Sequence, residues 1–182
     1  IDYERDSRGE LGDELIAILQ KRAPEAGSHY SGNATDGFTM DMDNEDFHCL
    51  PSLNIRFNDV IGLKMQNLQM IDRESLDDFL EAFPNLRTLT LEKTDLRIAD
   101  AAGVFQGALP STIPQLQHLT SLNLRLTHLT FSEDNAGLFS SLVNLQSLDL
   151  SDNPLAVPPV VIGLDQLQVL RLNNTGIDRC PI

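Results

Sequence analysis

The chain has 182 residues, 5% of them aromatic and none Trp, and carries a formal net charge of −14. That length suits one domain or one piece of a repeat protein, and the longest apolar run, 155–164, is too short for a membrane span and contains Pro158 and Pro159. Acidity is densest over residues 1–50, with 12 Asp/Glu against 4 Lys/Arg, and excludes a nucleic-acid or anionic-lipid surface, which needs clustered bases; the charge reads first as a solubility device and second as a match for a basic protein partner.

In chain order, the first expected element is an amphipathic helix over 10–22. Leu11, Leu15, Ile18 and Leu19 fall at helical spacing, and Pro24 stops it. Residues 1–33 are therefore assigned to a helical segment, either a cap on the first coil of a solenoid or the end of an upstream domain. From position 37 a pattern L-x-x-L-x-L-x-x-N-x-L recurs. It is degenerate at Gly37, Met40, Met42, Glu45 and Phe47, and weak at Val60, Leu63, Met65, Leu68 and Met70. It is plain at Leu86, Leu89, Leu91, Thr94 and Leu96, and at Leu119, Leu122, Leu124, Thr127 and Leu129. It is equally plain at Leu145, Leu148, Leu150, Asn153 and Leu155, and at Leu167, Leu170, Leu172, Thr175 and Ile177. The starts at 37, 60, 86, 119, 145 and 167 lie 23, 26, 33, 26 and 22 residues apart.

The spacing has a physical cause. The L-x-L core alternates sides, so its leucines point inward and the residues between them outward. One coil cannot bury its own apolar side; stacked coils share a continuous core, with their strands in a parallel sheet. At the Asn position a buried amide or hydroxyl satisfies backbone groups that the turn leaves unpaired. Asn153 supplies an amide, and Thr94, Thr127 and Thr175 a hydroxyl; Leu68 supplies neither, so irregularity is expected there. Between strands, 73–83 reads as a helix with Leu76, Phe79, Leu80 and Phe83 on one face and Ser75 as cap. The 33-residue step holds an insertion over 97–108, rich in Ala and Gly, expected to be a protruding loop or short helix. Segments 109–116 and 157–164 match an L-P-x-x-I-x-x-L filler, whose prolines fit outside the ladder. A second short helix is expected from Ser132 through Leu138 and Leu142. Beginning at Ile1 without a leader and ending at Pro181-Ile182 just after a strand and turn, the chain is expected to be a piece of a longer one, truncated at its C-terminus.

No constellation in the sequence carries catalysis. Cys49 and Cys180 stand 131 positions apart and read as reduced structural thiols. His48 and Cys49 are neighbours in an extended stretch, so they point to opposite sides and cannot form a nucleophile–base pair. The acidic run Asp41, Asp43, Glu45 and Asp46 departs from a calcium loop, which would need Gly at 46 and Glu at 52, where Asp46 and Ser52 stand. His29, His48, His118 and His128 share no ligand spacing, and there is no glycine-rich phosphate loop. The expectation is no catalytic, metal-binding or cofactor-binding residue, no cofactor and no small-molecule substrate.

Over the last four copies, about half the chain, the pattern resembles the leucine-rich-repeat superfamily. The resemblance implies an α/β solenoid of about six repeats over 34–182, with short parallel strands on a concave face and helices or irregular segments on the convex one. A second resemblance rests on the phrases APEAG at 23–27, ATDGFTM at 34–40, VIGLKM at 60–65 and FPNLR at 83–87. These are similar to large secreted toxins of Pseudomonas-type bacteria, in which a dermonecrotic-toxin-like region precedes repeats and a ubiquitin-ligase domain follows. That resemblance implies a substrate-recognition or autoinhibitory region of a ligase that is secreted or injected into host cells. The family's catalytic Cys stands beside an acidic residue; Cys180 precedes Pro181, so no catalytic residue carries over.

The outward residues fall into three columns. Between the inner apolar positions lie Asp41, Lys64, Thr90, Asn123, Asp149 and Arg171; two further on, Asp43, Gln66, Glu92, Arg125, Ser151 and Asn173; beside those, Asn44, Asn67, Lys93, Leu126, Asp152 and Asn174. A concave protein-binding face is expected from these, with Arg125, Leu126 and Arg171 as anchors and Glu92 and Lys93 as polar rim. The competing expectation is a solenoid that packs against flanking domains of its own chain.

Overall fold

The computed structural model describes residues 17, 21, 27–33, 37–43, 53, 56–58, 60–68, 73–99, 103, 105–132 and 136–178. One seven-stranded sheet runs through it. Its order is β1 (Gly27–Asn33), β2 (Gly37–Asp43), β3 (Val60–Gln66), β4 (Thr88–Thr90), β7 (Ser121–Asn123), β8 (Ser147–Asp149) and β9 (Val169–Arg171). From β2 onward every pairing is parallel; β1 alone runs antiparallel, against β2. The architecture is thus a parallel-strand repeat solenoid with little helix. Residues 27–33, grouped by sequence with a helical segment, form a strand instead. The helix expected over 10–22 lies outside the described residues except for Ala17 and Lys21, both helical.

The strands are three residues long in the regular coils because only the L-x-L core is extended before the chain turns inward. Leu63, Leu89, Leu122 and Leu148 are buried on one inner row, and Met65, Leu91, Leu124 and Leu150 on the next. These rows fuse into a single core spanning the coils. Backbone bonds extend the ladder past the strand ends: Leu91 N–H donates to Asn123 O at 2.8 Å, Leu124 to Asp149 O at 2.8 Å and Leu150 to Arg171 O at 2.9 Å.

Between β3 and β4, α1 (Arg73–Glu81) forms where expected and buries Leu76, Phe79 and Leu80. Phe79 and Phe57 both pack on Phe83, with ring centroids 5.1 and 5.5 Å away. Asp77 ties this helix to the next coil. It accepts from Thr112 N–H at 2.8 Å and the Ser111 hydroxyl at 2.9 Å, at the start of a 3-10 turn over Ile113–Gln115. Burial alone would raise the Asp77 pKa, but these Thr112 and Ser111 donors outweigh it and hold the carboxyl below its ordinary value.

Two expectations are corrected. The helix after Ser132 does not form over the described part of 132–142; 136–141 are turns, with Phe139 buried edge-on against Phe131 at 5.6 Å. In the insertion over 97–108 the described residues include an antiparallel pair, β5 (Arg97–Ala99) with β6 (Phe105–Gly107), where a loop or short helix was expected. Gly107 sits so close to the neighbouring coil that a Cβ there would lie 1.7 Å from the His128 carbonyl oxygen. Its own carbonyl accepts from the Thr130 hydroxyl at 2.9 Å. Only glycine allows this approach, which pins the hairpin to the solenoid.

Candidate protein-binding face

Parallel pairing sets the columns side by side. Asp41 pairs with Lys64, Lys64 with Thr90, Thr90 with Asn123, Asn123 with Asp149, and Asp149 with Arg171. Side chains from coils far apart in sequence are therefore held at the strand-to-strand spacing of about 4.8 Å. A further column was missed by the sequence reading: Thr39, Gly62, Thr88, Ser121, Ser147 and Val169 also share one register. Alternation itself was the signal, since each immediately precedes an inner residue and so takes the same side as the residue two positions on. Thr88, Ser121 and Ser147 make this stripe small and hydroxylic.

The third column has a distinctive backbone. Asn67, Lys93, Leu126, Asp152 and Asn174 all have φ between 55 and 60°. This left-handed residue turns each coil away from the sheet. Asn and Asp tolerate it; for other residues with a Cβ the region costs roughly 1–2 kcal/mol. Leu126 occupies it while remaining 41% exposed, so burial does not offset the strain. His128, two residues on, is also left-handed, at φ 59°.

Many polar residues of the face are occupied with one another. Gln66 donates to Glu92 at 3.1 Å, Arg125 bridges Glu92 at 3.3 Å and Asp152 at 2.6 Å, and Asn174 donates to Asp152 at 2.8 Å. The result is one hydrogen-bonded row of five side chains, from Gln66 to Asn174. The Asn174 amide, and then the Arg125 guanidinium, hold the Asp152 carboxyl below the usual carboxylate range. Asn123 and Asp149 each accept from the N–H two residues on, at 3.0 and 2.9 Å, fixing the turn rather than standing free. Lys64 is paired with Asp41 at 3.0 Å.

The expected residues thus separate. Thr90 is half-buried within the aligned strands, while Lys93, Leu126, Arg171 and Asn173 are exposed. Gln66, Glu92 and Arg125 form the row. Ser151, expected to face solvent, is only 3% exposed; Asn173 lies over it, its backbone N–H 3.3 Å and its side-chain amide 3.4 Å from the hydroxyl oxygen. Alternation fixes a side chain's direction, not whether the next coil covers it. Asp43 lies in β2, and Asn44 lies outside the described residues, as do His48, Cys49 and Cys180.

Among the described residues no group of three His, Cys, Asp or Glu side chains could hold a metal ion. None of their helices is long and apolar enough to cross a membrane. An open groove of about 370 Å³ flanks the strands on their N-terminal side, lined by Arg87, His118, Thr120, Asn144, Gln146 and Gln166.

The aligned columns, the inner leucine rows and the left-handed turn residue place the chain among known architectures. The likeness is to leucine-rich-repeat proteins. The chain is 54% identical over 56 residues to vasorin from Homo sapiens, covering 30% of this chain and 8% of that protein. It is 37% identical over 70 residues to leucine-rich repeat and WD repeat-containing protein 1 from Xenopus tropicalis, covering 38% of this chain and 10% of that protein. The matched segments are thus a tenth or less of either relative. No family model matches the chain.

Proposed function

We propose that this chain is a protein-interaction module of six coils, starting at 37, 60, 86, 119, 145 and 167, that binds a protein partner through its strand face. The observation that carries the reading is the register from Asp41 to Arg171, which lines up side chains from six strands on a backbone fixed by the leucine core. A partner can meet several of them without ordering a loop, so little binding energy is lost to immobilisation. Lys64, Thr90, Asn123, Asp149 and Arg171 form the floor, and Gln66, Glu92, Lys93, Arg125, Leu126 and Asn173 the rim. The phrases at 23–27, 34–40, 60–65 and 83–87 support a wider setting, as the recognition region of a secreted or injected ubiquitin ligase.

The test is a paired substitution assayed against a partner recovered and identified from host-cell extract. Arg125→Gln with Arg171→Gln is expected to weaken binding at least about tenfold, or 1.4 kcal/mol, with little change in melting temperature. Neutral replacements are required, since a carboxylate at 125 would face Glu92 and Asp152. The control on α1 is Asp78→Lys with Glu81→Lys, both exposed; Asp77 is unsuitable because it clamps the next coil. Loss of binding in the control alone moves the site to α1. Recovery of nothing but a flanking domain of the same chain favours a solenoid that packs internally.

A further inference from the structure

We infer that the rim around Leu126 docks an acidic peptide segment that carries an apolar side chain; this rests on the strand face being a protein-binding surface. Three independent observations converge there. Leu126 is a strained, left-handed and exposed leucine in a column that otherwise holds Asn67, Lys93, Asp152 and Asn174. Folding alone would be better served by Asn at that position, so leucine calls for a use outside the fold. The hairpin of β5 and β6 departs from the solenoid at the same rim. Leu96 N–H donates to the Thr127 carbonyl at 3.1 Å, and Arg97 follows at once. Lys93 N–H likewise reaches the Arg125 carbonyl at 3.0 Å, which places Lys93 beside Leu126.

The third observation is how charge is layered. In each Lys or Arg ion pair between described residues the cation is the exposed member and the carboxylate the sheltered one. The Arg125 side chain is 48% exposed against 18% for both Glu92 and Asp152, Arg97 is 44% against 14% for Asp95, and Lys64 is 41% against 21% for Asp41. The eighteen outward positions carry four bases and five acids, a balance of −1 in a chain of −14. What a visitor meets first is therefore guanidinium and ammonium, with the acids half-buried beneath them. Arg125 engages the row through Nε and one NH1 contact, which leaves further N–H donors of its five for incoming carboxylates. Bulk charge points to a basic partner; the surface at this rim complements the opposite sign.

The probe is a displayed library of random short peptides, panned on the purified 182-residue chain and in parallel on its Leu126→Asn variant. Peptides enriched on the native chain are expected to combine Asp or Glu with an aliphatic or aromatic residue. A synthetic copy of the leading peptide is expected to bind at least about tenfold more weakly to Leu126→Asn and to Arg97→Gln, and more weakly as salt is raised. Leu126→Asn is also expected to melt higher than the native chain, so weakened binding cannot be misfolding. Basic enriched peptides, or acidic ones that bind Leu126→Asn undiminished, overturn the inference. If enriched peptides ignore Leu126 and Arg97 but are lost in Arg125→Gln with Arg171→Gln, the module reading stands and this inference falls; no enrichment on the native chain counts against both.

Discussion

The coil that closes at Asn153 and the coil that closes at Thr94 solve the same problem differently. Both residues are fully buried at the inward corner. Asn153 donates to the carbonyls of Leu124 at 2.7 Å and Leu150 at 2.9 Å, and accepts from Thr127 N–H and Leu129 N–H, both at 3.0 Å. One amide thereby stitches two coils. Among the described residues the Thr94 hydroxyl has no hydrogen-bond partner. Its coil closes through backbone alone: Thr94 N–H to Leu91 O at 3.1 Å, and Asp95 N–H to Leu68 O at 2.9 Å. Thr127 and Thr175 stand between, their hydroxyls each bonding a carbonyl three residues back at 2.9 Å. The difference teaches that a corner can be filled by shape and joined to its neighbours through backbone alone, while a side chain that both donates and accepts adds further bonds between coils.

The largest test of that contrast is Asn153→Leu. It keeps bulk but takes the Asn153 partner from three buried backbone groups, the Leu150 carbonyl and the Thr127 and Leu129 N–H groups, each worth about 1–3 kcal/mol. Against a total stability of roughly 5–15 kcal/mol, the variant is expected to lose its cooperative thermal transition or to melt more than ~10 °C lower by circular dichroism. A shift of only a few degrees would erase the distinction between the two corners.

An intermediate effect is expected at the clamp that belongs to the Thr94 half. Asp77→Asn removes a charged acceptor for Thr112 N–H and the Ser111 hydroxyl, and is expected to lower the melting temperature by roughly 2–6 °C at neutral pH. The sign with pH comes from its depressed folded-state pKa. Its contribution is present above the unfolded-chain value and lost as pH falls through the folded one. The gap between native and variant is therefore expected to narrow as pH falls below the ordinary Asp value of about 3.9 and through the lower folded-state one. A gap that stays constant would mean that the carboxylate's charge is not what holds the clamp.

The smallest effect belongs to Thr94→Val, which removes an unpartnered hydroxyl at nearly constant volume. The expected change in urea unfolding is within about 0.5 kcal/mol of zero or stabilising, since burying an unpaired hydroxyl is itself costly. A loss above about 1.5 kcal/mol would reveal a partner for that hydroxyl and place the two corners in one class.

Much of the repeat was legible because it rests on local periodicity. The pairing of Lys64 with Thr90 and of Asn123 with Asp149 results directly from counting inner leucines. α1 was legible from a single apolar stripe, although Ser75, expected as its cap, lies inside the helix, which begins at Arg73. The hairpin was not: strands of three residues carry too little alternation to read, and its anchor is a contact between Gly107 and His128 in another coil. Ser151 was misjudged because coverage by Asn173 depends on the adjacent turn rather than on its own strand. The antiparallel β1 had no signal of its own that outweighed the helical segment before it.

By itself the sequence determined the inward rows and the outward columns, since a period-two strand admits one register once leucine must be buried. Tertiary structure alone decided which outward residues are available. Arg125 is exposed yet engaged, Asp149 and Asn123 are spent on turns, and Leu126 is held out in a left-handed backbone. Those outcomes depend on how neighbouring coils cover and pair with one another, and side chains meet across coils at distances that no spacing within one coil encodes.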